Sequence, residues 1–183
     1  MATLKDIQQL FSTQERIKIL ENVVSGRPIN IPRISKEAGV NKGLVSRYLQ
    51  LLLKLGMAEK SGRSYRFAPG NQLSRAIKFL LNLSALDIKK FDKSIKGIGI
   101  YGSYAKGTNT EKSDIDMWVK IGSPVKEQKI AEIEHGLGKK MKRDVHMLVL
   151  DRKKLERLKA DDPVFYYSLA FGSFVVWGEG IED

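Results

Sequence analysis

Apolar residues in the first third of the chain recur at intervals of three and four, which is the spacing of one helix face. Gly26, Gly39 and Gly56 interrupt this pattern, and glycine commonly ends a helix. The pattern therefore predicts three helices. The first follows the capping-box sequence Ser12-Thr13-Gln14-Glu15 and buries Ile17, Leu20 and Val24, the second spans Pro32 to Ala38, and the third runs from Lys42 to Leu55 and buries Val45, Leu49 and Leu52.

Shorter patterns flank these helices. Met57–Lys60 and Ser64–Phe67 are separated by Ser61-Gly62-Arg63, which predicts a small β-hairpin. Ahead of the helices, an amphipathic start carries Leu4, Ile7, Leu10 and Phe11 on one face. We expect this face to pack on its own domain; pairing of two chains into a homodimer is the alternative.

After the break Ala68-Pro69-Gly70-Asn71, helical spacing resumes and predicts a connecting helix over residues 71–95, with Leu73, Ala76, Ile77, Leu80 and Leu83 on one face. Beyond it the spacing changes to two, the period of a strand. Strands are predicted at Lys96–Tyr101, at Asp114–Ile121 and after Arg143 up to Leu150, with a helix that buries Ile130, Ile133 and Leu137 between the second and third.

The composition narrows the classes of protein. The chain has 183 residues, no cysteine and two histidines, so disulfide frameworks and cysteine-ligated metal clusters are excluded. The sequence shows no membrane-spanning run and no signal-peptide core, so we expect a cytoplasmic protein without a membrane partner. The formal net charge is +11, and basic residues are densest in residues 1–70, which is typical of a nucleic-acid-binding surface.

The chemistry concentrates after the first strand of the second half. Gly102 and Ser103 follow that strand, where glycine allows close approach of a ligand and a short helix directs its N–H groups at an anion. Asp114 and Asp116 then lie on one face of the second strand. Two neighbouring carboxylates repel each other unless a cation neutralises them, so this pair favours a divalent metal ion.

A third acid, Asp144, begins the third strand. If that strand lies beside the second, three carboxylates converge, as two metal ions flanking an in-line displacement at phosphorus require. A solvated Asp144 at a strand start is the alternative. His146 shares the face of Asp144 and is expected to hydrogen-bond a neighbour; contact with a metal-bound water or a phosphate is the alternative. His135 is expected at the surface.

The Gly-Ser turn, ten further residues, Asp-x-Asp and a later strand Asp resemble the polymerase-β superfamily, in particular the minimal nucleotidyltransferases of archaea and bacteria. The resemblance implies that Asp114 and Asp116 bind two Mg²⁺ (or Mn²⁺) ions, and that Asp144 binds one of them and helps to deprotonate the acceptor hydroxyl. It also implies that Gly102 and Ser103 hold a triphosphate, which Lys106 contacts. Residues 162–178 resemble the final helix and edge strand of that family.

Residues 12–68 resemble winged helix-turn-helix domains, with Val45-Ser46-Arg47-Tyr48-Leu49 as the recognition-helix phrase. This resemblance implies contact with double-stranded DNA. Asn41, Lys42, Ser46 and Arg47 would face the major groove, and Arg63 and Arg66 would meet phosphate or the minor groove. Winged helices also serve as protein-contact modules, which is the alternative here.

The sequence thus predicts an α+β protein: a winged helix-turn-helix domain over residues 1–70, a connecting helix over 71–95, and an α/β nucleotidyltransferase domain with a small mixed sheet over 96–183. The predicted function is transfer of a nucleoside monophosphate, with ATP as donor, to an acceptor hydroxyl. The alternative is a DNA-binding regulator or antitoxin that uses the same fold for nucleotide sensing or partner binding. The resemblance extends to stand-alone antitoxins that adenylylate a HEPN-type toxin, so such a toxin is a candidate partner.

Overall fold

A computed structural model describes residues 3–86 and 94–183. The chain divides into two compact units, Met1–Lys78 and Phe79–Asp183, so the division falls inside a helix. Of the connecting helix predicted over residues 71–95, the structure forms Gln72–Ala85, and residues 87–93 lie outside the described residues. The predicted end at residue 95 is wrong, because Ile95 begins a strand. Each unit is described by itself below.

The first unit consists of four helices and a small antiparallel sheet. Its elements are α1 (Leu4–Phe11), α2 (Gln14–Val24), β1 (Ile29–Asn30), α3 (Ile31–Ala38), α4 (Lys42–Lys54), β2 (Ala58–Ser61), β3 (Ser64–Phe67) and the beginning of α5 (Gln72–Ala85). The strand order is β1-β3-β2, with β3 in the centre. The three helices and the hairpin predicted from the sequence are therefore present, whereas the two-residue strand β1 was not predicted.

The inward positions of these helices are largely as predicted. Leu20 and Val24 in α2, and Val45, Leu49 and Leu52 in α4, are all buried, whereas Ile17 is only half-buried. Tyr48 was missed: it is 2 % exposed, and its hydroxyl donates a 2.9 Å hydrogen bond to the carbonyl of Leu10. Leu10 itself is fully buried, so α1 packs within its own unit.

The predicted capping box is displaced. Helix α2 begins one residue later than expected, and its N-cap is Thr13, whose side chain accepts from the backbone N–H of Arg16. A box formed by Ser12 and Glu15 is therefore wrong, because Glu15 no longer occupies the third helical position. A capping box does form in α1, between Thr3 and Asp6.

Asp6 of that box is a buried carboxylate with several donors. It accepts from the backbone and hydroxyl of Thr3, at 2.9 and 2.8 Å, and from Lys54 Nζ at 3.1 Å. Only 6 % of Asp6 is exposed. The backbone bond from Thr3, followed by the Thr3 hydroxyl and Lys54, lowers the pKa of Asp6 to about 2. Asp6 thus connects α1 to α4 through a hydrogen-bonded charge.

The second unit is built on a four-stranded mixed sheet. Its elements are the end of α5, β4 (Ile95–Ile100), α6 (Gly102–Ala105), β5 (Ile115–Ile121), α7 (Glu127–Met141), β6 (Val145–Leu150), α8 (Arg152–Asp161), α9 (Pro163–Gly172) and β7 (Phe174–Gly178). The strand order is β6-β5-β4-β7, with β5 and β6 parallel and the other pairs antiparallel. The predicted small mixed sheet is confirmed, as are the final helix and edge strand; α8 was not predicted.

Strand β5 is buried on both faces. Ile115, Met117 and Val119 face a core with α7, in which Ile130 and Leu137 are buried and Ile133 is packed, as predicted. Trp118 faces a second core with α8 and α9 and is fully buried. Its ring crosses Gly99 of β4, where an added Cβ would stand 2.3 Å from ring atoms, so only glycine fits there.

The predicted face of α5 is partly wrong. Leu80 is 52 % exposed and Ala76 is exposed, whereas Ile77 and Asn82 are buried. The Asn82 amide donates to the carbonyl of Tyr104 at 2.8 Å and to Asn109 Oδ1 at 2.9 Å. Because a paired amide can be buried without large cost, an apolar pattern cannot identify this face.

Asp6→Asn should lower the free energy of unfolding at pH 7 and weaken its acid dependence. The folded-state pKa of Asp6 lies below its unfolded value, so its stabilisation is complete above roughly pH 4 and is lost as the pH falls through about 2. Urea unfolding at several pH values measures the difference between parent and variant, which should vanish near pH 2. Glu59→Gln, which removes an exposed ion pair with Arg66, is the control and should change little. A difference that persists unchanged at pH 2 would contradict the assignment.

Candidate active site

The two acids of the Asp-x-Asp motif lie at the start of β5. The strand begins at Ile115, one residue later than predicted, so Asp114 precedes it and Asp116 is its second residue. Asp114 is exposed, with half of its side chain accessible, and Asp116 is half-buried. Two residues further along the same face, Trp118 is fully buried. The motif therefore occupies the point where this face of the sheet changes from exposed to buried.

The third predicted acid, Asp144, immediately precedes the neighbouring strand β6, which begins at Val145, one residue later than predicted. Strands β5 and β6 pair in parallel, with Ile115 opposite Val145 and Asp116 opposite His146. The N–H of Ile115 donates to the carbonyl of Asp144 at 2.9 Å, so the backbones of Asp114 and Asp144 run side by side. The side chain of Asp144 is exposed.

The expected convergence of three carboxylates is not formed. Among residues 3–86 and 94–183, no group of three or more acidic or histidine side chains lies close enough to hold a metal ion. The side chain recorded beside Asp114 is His146, whose Nε2 is 3.5 Å from Asp114 Oδ2. Parallel pairing places the backbones of Asp114 and Asp144 side by side but does not fix the rotamer of the exposed Asp144 side chain. His146 thus contacts a neighbouring acid, as expected, and His135 is exposed, as expected.

Gly102 is fitted to the Asp116 carboxylate. It begins α6 with a φ of +65°, and a Cβ added there would lie 2.5 Å from Asp116 Oδ2. Glycine is therefore required at this position both by its conformation and by the space that the acid occupies. Ser103 follows, and its carbonyl accepts from the N–H groups of Thr108 and Asn109, which closes the turn after α6. Lys106 caps the end of α6 and is exposed.

Charges at this site act on one another. Burial raises the pKa of Asp116, and the neighbouring Asp114 raises it further, while His146 opposes the shift. Because the folded-state pKa is raised, Asp116 reduces the stability of the folded chain as the pH rises from roughly 4 and the carboxyl ionises. Burial also raises the pKa of Tyr101, and the charge of Asp116 adds to that shift. Tyr101, which adjoins Gly102, is thus a site residue that the sequence pattern did not identify.

The residues at this position fit a divalent cation. Asp114 and Asp116 supply carboxylate oxygens, the ligands that Mg²⁺ and Mn²⁺ prefer. Burial and then the charge of Asp114 disfavour the ionised form of Asp116, and a bound cation would offset that cost. The space that Gly102 leaves for Asp116 keeps one of these carboxylates beside the Gly-Ser turn. Lys106 and Asp144 are both exposed and accessible to a ligand.

A large cleft in the described part of the second unit lies away from these residues. It has a volume of about 1010 Å³ and opens at the far end of β5, where Lys120, Arg152 and Tyr166 contribute to its walls. None of the predicted site residues lines it. The volume of a cleft therefore does not identify the predicted nucleotide site. A triphosphate with metal ions is held mainly by charges, and these do not require a deep cleft.

The predicted DNA-contacting residues all lie in the first unit, and they differ in how free their side chains are. Lys42, Arg47 and Arg63 are exposed, and Ser46 is half-buried. Asn41 is the N-cap of α4: its Oδ1 accepts from the N–H of Leu44 at 2.8 Å, so part of its side chain is already used. Arg66 is exposed and lies 3.4 Å from Glu59 in the same hairpin.

Comparison with known proteins identifies the second half of the chain. Residues 84–174 match the family model described as nucleotidyltransferase domain, which confirms the predicted class of enzyme. No curated protein matches the chain. Among the described residues no helix is both long and apolar enough to span a membrane.

Three solved structures are similar to the chain. One is a toxin–antitoxin with AMP-PNP, at 21 % identity and a TM-score of 0.37, over 56 % of this chain and 73 % of that chain. A second is a mutant of the toxin–antitoxin MntA-HpeT, at 19 % identity and a TM-score of 0.39, over 62 % of this chain and 77 % of that chain. A third is a tri-AMPylated HEPN toxin of Shewanella oneidensis in complex with MNT antitoxin, at 18 % identity and a TM-score of 0.35, over 57 % of this chain and 73 % of that chain.

Asp116→Asn should raise the melting temperature of the metal-free chain at pH 7 and abolish the further rise that Mg²⁺ or Mn²⁺ produces in the parent. The substitution removes a half-buried charge whose pKa is raised and, with it, one carboxylate ligand. Differential scanning calorimetry with and without metal measures both effects. Asp161→Asn, on the exposed end of α8, makes the same change of charge and should keep the metal response. An undiminished metal response in Asp116→Asn would defeat the assignment.

Proposed function

We propose that this chain, whose residues 84–174 form a nucleotidyltransferase domain, transfers a nucleoside monophosphate from a triphosphate to an acceptor hydroxyl. The donor we propose is ATP, and the metal ion is Mg²⁺ or Mn²⁺. The observation that carries the proposal is the placement of Asp116 against Gly102, which leaves room for its carboxylate, with Asp114 two residues before it. The Gly-Ser turn and the two acids thus lie at the same strand end, where we propose that the turn binds phosphate and the acids bind metal.

The reaction follows from these roles. The acceptor oxygen attacks the α-phosphorus, the bond from that phosphorus to the β-phosphate bridging oxygen breaks, and pyrophosphate leaves. Bound metal ions would neutralise charge on the acids and on the phosphate oxygens. Asp114 and Asp116 orient the donor, Ser103 and Lys106 bind its phosphates, and Asp144, on the adjacent strand, accepts the proton of the acceptor hydroxyl.

The proposal assigns the acceptor to a separate macromolecule. In residues 94–183 the sheet is covered by α7, α8 and α9, and each of these helices is packed by one face on the strands. The described residues of this unit thus contain no additional helical domain to hold an acceptor. We propose a partner protein as the acceptor, with a HEPN-type toxin as one candidate.

The first unit is proposed to bind double-stranded DNA as a winged helix-turn-helix domain. Support comes from the exposed Lys42 and Arg47 at the start and middle of α4, and from Arg63 at the tip of the β2–β3 hairpin. A helix and a hairpin that both present cations can contact a duplex together. Asn41 and Arg66 contribute less in this proposal, because each already has a partner in the unit.

Incubation with ATP labelled in the α-phosphate, magnesium and an extract of the source cells should give a labelled macromolecule, whereas ATP labelled in the γ-phosphate should give only labelled pyrophosphate. Sensitivity of the product to protease or nuclease identifies the acceptor class. Asp114→Ala should abolish the labelling. Asp144→Ala should abolish it while ATP binding is largely retained, and Asp161→Asn should behave as the parent. A chain that binds ATP but labels nothing, with Asp144→Ala indistinguishable from the parent, would favour the regulatory alternative.

Binding to duplex DNA should weaken steeply with salt, because each phosphate contact releases a counterion. Arg47→Ala should reduce discrimination between sequences, and Arg63→Ala should weaken all duplexes alike and lower the salt slope by about 1. Fluorescence anisotropy over a salt series measures both. Arg152→Ala, in the other unit, removes the same charge and is the control. If the parent binds no duplex at low salt, the first unit is a protein-contact module.

A further inference from the structure

Arg143 holds the loop that precedes the acids. Its Nη1 donates to three backbone carbonyls, those of Thr110 at 2.7 Å, Glu111 at 3.1 Å and Ser113 at 2.9 Å. Nη1 carries two hydrogens, so one N–H is shared between two acceptors. One guanidinium nitrogen thus contacts three of the last four carbonyls before Asp114, which immediately precedes β5.

The backbone of Arg143 is itself fixed. It follows α7, which ends at Met141, and its N–H donates to the carbonyl of Gly138 at 3.2 Å. Gly138 approaches closely: a Cβ there would stand 2.9 Å from the carbonyl oxygen of Arg143. The guanidinium therefore extends from a point anchored to a helix and is half-buried.

The positions in the chain give this contact its consequence. Ser113 immediately precedes Asp114, and Arg143 immediately precedes Asp144. The bond from Arg143 to the Ser113 carbonyl thus connects the residues before the two acids, and the bond from Ile115 N–H to the Asp144 carbonyl connects the backbone just after. The two bonds enclose Asp114 and Asp144 from both sides.

We propose that Arg143 is a positioning residue, which fixes the loop backbone before Asp114 against the backbone of Asp144 and so sets the positions from which the two carboxylates reach a divalent cation. This inference rests on the proposed function of the acids as metal ligands. Arg143 contacts loop carbonyls and is given no contact with substrate. Without Arg143 the carbonyls of Glu111 and Ser113 lose this donor, and the carbonyl of Thr110 keeps the N–H of Ser113. The loop then gains freedom, and the backbone spacing of the two acids is less firmly fixed.

If Arg143 acted only through its charge, its removal would change metal affinity in the opposite direction, which makes the proposal testable. A cation close to a metal site repels the metal ion, so removal of the Arg143 charge should tighten metal binding if charge were its only effect. If Arg143 acts by fixing the loop, its removal should weaken metal binding. Partners of metal ligands typically contribute about 10- to 100-fold to metal affinity or activity. Arg143→Lys keeps the charge and loses the planar fork, so it separates the two effects.

The experiment uses the full chain and manganese(II) alone, with free ion measured by electron paramagnetic resonance. Arg143→Gln should weaken manganese binding about 10-fold, within the range for such partners, and Arg143→Lys should give a smaller loss. Arg152→Gln removes an equally charged side chain that is paired with Glu156 on α8, and it should bind as the parent. Hydrogen exchange of amides 110–116 should be faster in Arg143→Gln than in the parent or in Arg152→Gln.

Each outcome decides the proposal. Manganese binding by Arg143→Gln that equals or exceeds that of the parent, or unchanged binding by Arg143→Lys with unchanged loop exchange, would overturn the positioning role while leaving the metal site intact. If the parent binds no manganese, the metal assignment of the acids is overturned, and the positioning role with it. The melting temperature of each metal-free variant is recorded, so that a general loss of folding is recognised by a lowered melting temperature and is not mistaken for a loss of metal affinity.

Discussion

The central constraint on the second unit is that strand β5 is buried on both faces for most of its length and carries two carboxylates at its start. A central strand has its backbone groups paired by neighbours on each side, here β4 and β6. Its register against β6 is therefore fixed by hydrogen bonds and by core residues such as Met117 and Val119. A slip of one residue would turn Asp116 and Trp118 toward the core with α7, and Met117 and Val119 toward the core with α8 and α9. Because Trp118 is fully buried in its own core, such a slip would leave that core unfilled.

Much of this could be predicted because the signals are local. Alternation gives the strands, helical spacing gives α2, α4 and α7, and glycine marks turns at Gly39 and Gly102. The motif of two acids after a Gly-Ser turn is also local. The parallel pairing of β5 with β6 agrees with the long helical connection α7 between them, because parallel neighbours need a crossover of that kind. These inferences needed only the neighbourhood of each residue along the chain.

What could not be predicted depends on contacts between residues distant in the chain. The buried face of α5 includes Asn82, which is stable there only because the Tyr104 carbonyl and Asn109 accept its hydrogens. Arg143 likewise resembles one more basic residue in a basic chain until its three carbonyl partners are seen. Side-chain direction is a further limit: backbone pairing places Asp144 beside Asp114, but no local pattern fixes the rotamer of an exposed carboxylate.

The ionised form of Asp116 is disfavoured by the way in which the site is built. Burial against the turn and the charge of Asp114 both disfavour ionisation, and His146 offsets only part of this. A site that is costly without a cation gains more when a cation binds, because the same repulsion is removed on binding. Gly102 makes the burial of Asp116 sterically allowed, since any Cβ would occupy the space of its carboxylate. In the proposed site, Gly102, the two acids and Arg143 would therefore all act on one quantity, the free energy difference between the empty and the metal-bound site.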